Sequence, residues 1–133
     1  MMAVWKNVEA LLQDIEKSLH EHLKNTPAAD IHPALVHVLA ELYQQDGQHA
    51  SVLARAIGRQ ATSFTPLLDK LEGAGYIERR SDPEDRRAIR IYLKPMGIAL
   101  KPHIQKALGK LEAEYPESGW KVGADEPAEL IEA

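Results

Sequence analysis

Cysteine is absent from the 133 residues, which excludes a disulfide framework, a thiolate metal site and a thiol redox sensor. Unbroken apolar runs are only a few residues long, far short of a membrane span. The N-terminus lacks the charged and apolar regions of a signal peptide. A cytoplasmic chain without a membrane partner is therefore expected. The sequence also has no glycine-rich phosphate loop, no nucleophile elbow and no pair of acids set apart from helix surfaces, so no catalytic residues are assigned and no enzyme is expected. Ser51, Ser63 and Ser81 stand where helix starts and turns favour serine. The histidines are His20, His22, His32, His37, His49 and His103. Their spacing argues against a metal site, because His20 and His22 are two apart and face different ways on a helix, whereas helical metal pairs sit three or four apart. Neither metal nor cofactor is expected.

What is present is a segregated charge. The net value is −4, a weak argument against nucleic acid when taken alone. Between Arg55 and Lys106, however, 11 Lys and Arg face 6 Asp and Glu, while the remainder holds 5 against 14. The middle is thus +5 and the ends −9. A basic centre between acidic ends suits a module that meets phosphate with its centre and uses its ends for something else.

Apolar spacing then divides the chain. Val4, Val8, Leu11, Leu12, Ile15, Leu19 and Leu23 recur at steps of three and four, which predicts a helix from about Ala3 to Lys24, ended by Pro27. Its stripe has no near neighbour in sequence, so it should pack on the C-terminal region and on another chain. Asp30 and Pro33 signal a second helix, about Ile31 to Gln45, burying Leu35, Val36, Leu39, Leu42 and Tyr43. A third helix runs from Ala50 to Ile57, followed by Gly58 as a tight turn. The fourth carries Phe64, Leu67, Leu68 and Leu71 inward. Pro66 is tolerated there if the helix starts near Thr62, with Thr62 as N-cap, and Gly73 and Gly75 close it. Two strands follow, Tyr76 to Arg80 and Ala88 to Leu93; Ile89, Ile91 and Leu93 face in, Arg90 and Tyr92 out. From Met96 a last amphipathic helix carries Leu100, Ile104, Leu108, Leu111 and Tyr115, with Pro102 kinking it or delaying its regular part and Pro116 ending it. The tail 117–133 mixes Gly, Pro and acidic residues.

Two short helices around a glycine turn, followed by a hairpin with a basic tip, make a winged helix-turn-helix. The fold class is mainly α with a small β-hairpin wing, dimerising through the N- and C-terminal helices. We expect one domain over 1–133, with 1–30 and 95–133 as dimerisation helices and 31–94 as the DNA-binding lobe. A helix N-terminus in the major groove reads base edges with short polar side chains. Gln60, Thr62, Ser63 and Thr65 cluster at that place, and capping is the competing role for Thr62 and Ser63. Arg86 and Arg87 lie at the hairpin tip. Asp85 is expected to orient an arginine, since a carboxylate is repelled by phosphate. Arg55, Arg59, Lys70, Arg79, Arg80 and Arg90 are candidate phosphate contacts.

Order, spacing and motif together resemble the MarR-type winged helix-turn-helix transcription regulators, over roughly Ala34 to Leu111. The resemblance is carried by Leu53-Ala54 with Gly58, by Leu71-Glu72 followed by Gly75-Tyr76-Ile77, and by Asp85-Arg86-Arg87. Phe64-Thr65-Pro66-Leu67-Leu68 is most similar to the branch that senses organic hydroperoxides. That branch uses a reactive cysteine, so the likeness does not extend to peroxide sensing. Lys94 stands where the family usually has Thr, and the C-terminal region is shorter than the family's last helix. The resemblance implies that a wing arginine, Arg86 or Arg87, enters the minor groove. It also implies a homodimer on a pseudo-palindromic double-stranded operator, repressing transcription until a small-molecule effector enters between the dimer helices and the DNA-binding lobes. Trp5, His37, Tyr43 and Tyr115 are candidates to line that cleft, with core packing as the competing role of each. Two other readings are a winged helix that binds protein without specific DNA binding, favoured by the acidic total, and a metal-responsive regulator.

Overall fold

The structure is a computed structural model that describes the backbone of residues 2–116, with the side chains of residues 10–116 other than Ala61. The chain divides into two compact units, Met1–Pro33 with His103–Ala133, and Ala34–Pro102.

The first unit contains α1 (Met2–Leu23). Ile15, Leu19 and Leu23 are buried, so the expected stripe is present in the second half of the helix. Leu12 departs from it and is 53% exposed among the described residues. Val4 and Val8 have side chains outside the described set. Two residues after the helix, Asn25 lies in the left-handed region at φ 67, which asparagine tolerates better than most residues. Thr26 holds the turn from both sides: its hydroxyl donates to the Leu23 carbonyl at 2.5 Å and accepts from the Ala28 amide at 3.1 Å.

In the second unit, α2 (Pro33–Gln44) begins two residues later than the sequence suggests, with Pro33 as its first helical residue, where the missing N–H is no loss. Val36, Leu39 and Leu42 are buried, as are Val38 and Ala40, whereas Leu35 and Tyr43 are only half-buried. Beyond α2 comes an element not foreseen, the two-residue strand β1 (Gln48–His49). The sheet is therefore three-stranded in the order β1-β3-β2, with β2 spanning Ile77–Ser81 and β3 Ile89–Leu93, all antiparallel. Two-residue pairing leaves no period to read in sequence; side chains fix it. Asp46 Oδ1 accepts the Leu93 amide at 2.8 Å, and Gln48 Nε2 donates to the carbonyls of Glu41 and Gln45, closing the end of α2.

The helices α3 (Ala50–Ala56) and α4 (Ala61–Gly73) flank a turn whose geometry explains its glycine. Gly58 has φ +72; its amide donates to the Arg55 carbonyl and the Arg59 amide to the Ala54 carbonyl, the Schellman pattern that closes a helix with one left-handed residue. The end of α4 repeats it. Gly75 has φ +87, Gly75 N–H donates to Glu72 and Tyr76 N–H to Leu71. Gly75 rather than Gly73 is the closing glycine.

The start of α4 corrects the sequence reading. Gln60 is the N-cap, its carbonyl accepting the amides of Ser63 and Phe64, so Thr62 is already inside the helix and Pro66 is beyond the first turn. Pro66 has no N–H to offer the Thr62 carbonyl. Thr62 and Pro66 are both exposed, so that carbonyl lies on the solvent side of the helix, where the loss is smallest. Phe64, Leu68 and Leu71 hold the opposite face in the core, at 3%, 3% and 0% exposure; Leu67 is half-buried. Burying such side chains contributes roughly 1.5–3 kcal/mol each, which offsets the proline.

The last helix is two: α5 (Pro95–Ala99) and α6 (Lys101–Glu114), separated at Leu100. Pro102 is thereby placed in the first turn of α6, which accepts proline, and Pro95 at the first turn of α5 stands in for a polar cap at Lys94. In the first unit Ile104, Ala107, Leu108 and Leu111 of α6 are buried. The tail 117–133 lies outside the described residues.

Candidate nucleic-acid interface

Four polar residues open α4. Gln60, Thr62, Ser63 and Thr65 are all exposed. Gln60 makes no capping bond with its side chain, while the Ser63 hydroxyl donates to the Gln60 carbonyl at 3.1 Å. Thr62 does no capping. Arg55, Arg59 and Lys70 are also exposed. Arg59 is close enough to His37 for its charge to lower the imidazole pKa, a smaller effect than the burial that also lowers it.

The wing ends in Asp82–Ala88. Asp85 Oδ1 accepts the Arg87 amide at 3.1 Å and stands 3.6 Å from Arg87 Nε, a local turn that aims the Arg87 side chain outward at 94% exposure. Asp85 and Arg87 therefore occupy the relation expected of an orienting acid and its arginine. Arg86 is exposed, and nothing among the described residues pairs with it.

The other three candidate arginines are engaged within the chain. Arg79 grips Glu72 through Nε at 3.0 Å and Nη2 at 2.7 Å, its own amide donates to Glu72 Oε2, and Nη2 also reaches Asp69 at 2.7 Å. This clamp ties β2 to α4. Hydrogen bonds from Arg79 hold the Glu72 carboxyl below its ordinary range, and Glu72 with Asp69 raises the guanidinium further. Arg80 pairs with Glu78 and lies 4.2 Å above the Tyr92 ring. Arg90, expected to face outward, is half-buried: Nε donates to Asp82 Oδ2 at 3.2 Å and Nη1 to the Gly47 carbonyl at 2.8 Å. Arg80 and Arg90 are direct cross-strand partners, a like-charge pairing that would destabilise the hairpin. Each has its own carboxylate, Glu78 and Asp82, which resolves it.

Asp82 is the residue that sequence reasoning passed over. Its carboxylate is buried and accepts from His49 Nε2 at 2.6 Å, from the Glu84 amide at 2.9 Å and from Arg90. Those bonds, His49's first, lower its pKa to about 2. In sequence Asp82 is one of three acids in a charged turn, and no local signal marks it as the buried one.

The proposed effector residues are placed as follows. His37 and Tyr43 share α2 in the second unit. His37 has Glu41 3.9 Å away. The Tyr43 hydroxyl donates to the Gly97 carbonyl at 2.6 Å, and burial raises its pKa well above the ordinary phenol range. Tyr115 belongs to the first unit, and the Trp5 side chain lies outside the described set. His37, Tyr43 and Tyr115 are not among the residues of the open cavity of about 700 Å³ in the first unit, which is walled by Glu16, Ser18, His20, His22, His32 and Glu114 among others. Within it Glu114 Oε1 accepts the Ser18 hydroxyl at 2.6 Å and contacts His22 Nε2 at 2.7 Å, and these two bonds lower its pKa. Serine, histidine and glutamate suggest a hydrolase triad, but Ser18 Oγ and Glu114 approach the same imidazole nitrogen. A triad needs them on opposite ones. Among the described residues no three His, Asp or Glu gather as a metal site, and no helix is long and apolar enough to cross a membrane.

Comparison with known proteins places this geometry. Residues 31–89 match the MarR family. The chain is 32% identical over 68 residues to the HTH-type transcriptional regulator SarZ of Staphylococcus haemolyticus, and 43% identical over 56 residues to an uncharacterized HTH-type transcriptional regulator, YcgE, of Bacillus subtilis. Those alignments take in 51% and 42% of this chain but 46% and 34% of the relatives, so the chain spans about half or less of their length. Among solved structures, a MarR mutant from E. coli in complex with operator DNA superposes with TM-score 0.74 at 24% identity, over 97% of this chain and 89% of that one. A MarR transcriptional regulator from Methanosarcina mazei gives 0.73 at 21% identity, over 99% and 93%. The fold is that of the winged-helix regulators.

Proposed function

We propose that this chain, a MarR-type winged helix-turn-helix protein by its residues 31–89, binds double-stranded DNA sequence-specifically and regulates transcription. The observation that carries this reading is the exposed polar start of α4 beside an arginine-tipped wing. The similar E. coli protein is described in complex with operator DNA, which supports the same partner here. Gln60, Thr62, Ser63 and Thr65 read base edges in the major groove, and Arg86 and Arg87 enter the minor groove. Arg55, Arg59 and Lys70 meet phosphates. Arg79, Arg80 and Arg90 contribute to DNA binding by stiffening the wing and its junction with α4, since their guanidinium groups already have partners.

The regulator acts in the cytoplasm as a homodimer on a pseudo-palindromic operator, with residues 1–30 and 95–133 supplying the dimer helices around the 31–94 lobe. It represses until a small molecule is bound. Fluorescence anisotropy with a duplex from the gene's own upstream region tests the reading. Tight binding whose logarithm falls steeply with log salt, weakened by Arg86→Ala or Arg87→Ala, supports it. Absence of specific binding at low salt moves the function to a winged helix that docks on protein.

A further inference from the structure

His49 stands where the chain enters the helix-turn-helix, at the end of β1 and as the N-cap of α3. An N-cap side chain usually serves its own helix, but His49 makes no capping bond. Its Nε2 is 2.6 Å from Asp82 Oδ2 instead, at the root of the wing. Asp82 then distributes that contact. Its Oδ1 accepts the Glu84 amide, the first turn of the wing tip, and its own amide donates to the Ala88 carbonyl across the tip. Arg90 on β3 completes a ring by donating both to Asp82 and to the carbonyl of Gly47, two residues before His49. Gly47 itself has φ +73, and an added Cβ would come within 2.8 Å of the Tyr92 ring, so this corner has little room to relax.

We infer that His49 is a positioning residue for the wing: through Asp82 it fixes the arginine tip relative to the N-terminus of α3, and so sets how Arg86 and Arg87 meet DNA while α4 is engaged. The inference rests on the DNA-binding reading for its consequence, but the clamp itself is a property of the free protein. His49 touches no DNA. Its contribution is transmitted entirely by the wing, so it disappears when the wing has nothing to present. Arg90 and the Glu84 amide remain on Asp82 in its absence, which keeps the hairpin folded but loosens its base from β1.

A double-mutant cycle tests this. With the upstream duplex as probe, His49→Ala weakens binding about three- to tenfold in the otherwise native chain, and changes it by less than about twofold in an Arg86→Ala/Arg87→Ala background. His49→Gln, which restores a single neutral donor, recovers part of the loss. An equal factor in both backgrounds overturns the inference, because His49 would then act outside the wing. Amide hydrogen exchange on the free protein separates this from a failure of the DNA reading: faster exchange at Asp82 and Glu84 in His49→Ala, with Tyr76 unchanged, supports the clamp even if no duplex binds. Unchanged exchange at both amides overturns it.

Discussion

Helix α4 and the wing both turn polar side chains to solvent, yet they are held by different forces. Three apolar residues, Phe64, Leu68 and Leu71, seat α4 in the core, and the turns that end α3 and α4 close with backbone hydrogen bonds. The wing has Ile77 and Ile91 buried at its base, but from Arg79 outward its shape depends on carboxylates: Glu72 for Arg79, Glu78 for Arg80, Asp82 for Arg90 and His49, Asp85 for Arg87. Burial is indifferent to salt and to modest pH change, while exposed ion pairs are screened. One part of the proposed interface is thus rigid by packing, and the other is adjustable by electrostatics.

Removing the packing gives the largest effect. Leu71→Ala, at a fully buried site, is expected to cost about 3 kcal/mol of stability from lost burial and a cavity, visible as a lower denaturant midpoint. An unchanged midpoint would mean that α4 is not seated by its apolar face. Next, Arg87→Ala should weaken specific DNA binding by about tenfold, on the order of 1.4 kcal/mol, while leaving the midpoint within about 0.5 kcal/mol of the native value. A comparable loss of stability would show that the exposed tip holds the fold as well as the ligand. Gly58→Ala probes the helix-turn-helix connection. An added Cβ meets nothing within 4 Å there, so the expected cost of about 1 kcal/mol comes from the left-handed backbone alone; no cost would mean that the turn relaxes.

The smallest expected effect is an acid titration. Asp82 has its folded pKa lowered to about 2, so its contribution is fully present above the ordinary aspartate value of about 3.9. It is lost as pH falls through the interval down to about 2. The wing therefore stays anchored throughout the neutral range. Asp82→Asn should flatten the stability slope in that acid window, followed by thermal midpoints at stepped pH; a slope identical to the native chain's would show that Asp82 does not carry it.

Much of this was readable before any coordinates. Steps of three and four placed α1, α2 and α4 within about two residues, and alternation at Ile89, Ile91 and Leu93 placed β3, because burial of one face imposes its period on the residues that fill it. The exposed polar cluster of Gln60, Thr62, Ser63 and Thr65 was legible for the same reason, as the polar complement of that face. Two kinds of feature were not. The strand Gln48–His49 is too short to have a period, and the start of α4 depends on the Gln60 carbonyl, not on a capping side chain, so Thr62 was a misleading signal. The division of the arginines was also hidden. Composition shows eight basic side chains from Arg55 to Arg90, but not that Arg79, Arg80 and Arg90 have partners while Arg86 has none among the described residues.

Sequence alone determined within about two residues where α1, α2 and the hairpin lie, that the centre is basic, and that no thiol chemistry is possible, since each follows from local periodicity or from composition. Tertiary structure decided which acid is buried. Asp82, Glu84 and Asp85 are equivalent in a string of letters. Only the return of β1 to β3, pairing His49 with Arg90, brings an imidazole from 33 residues away to Asp82, because a side-chain hydrogen bond depends on distance in space and leaves no spacing in the chain.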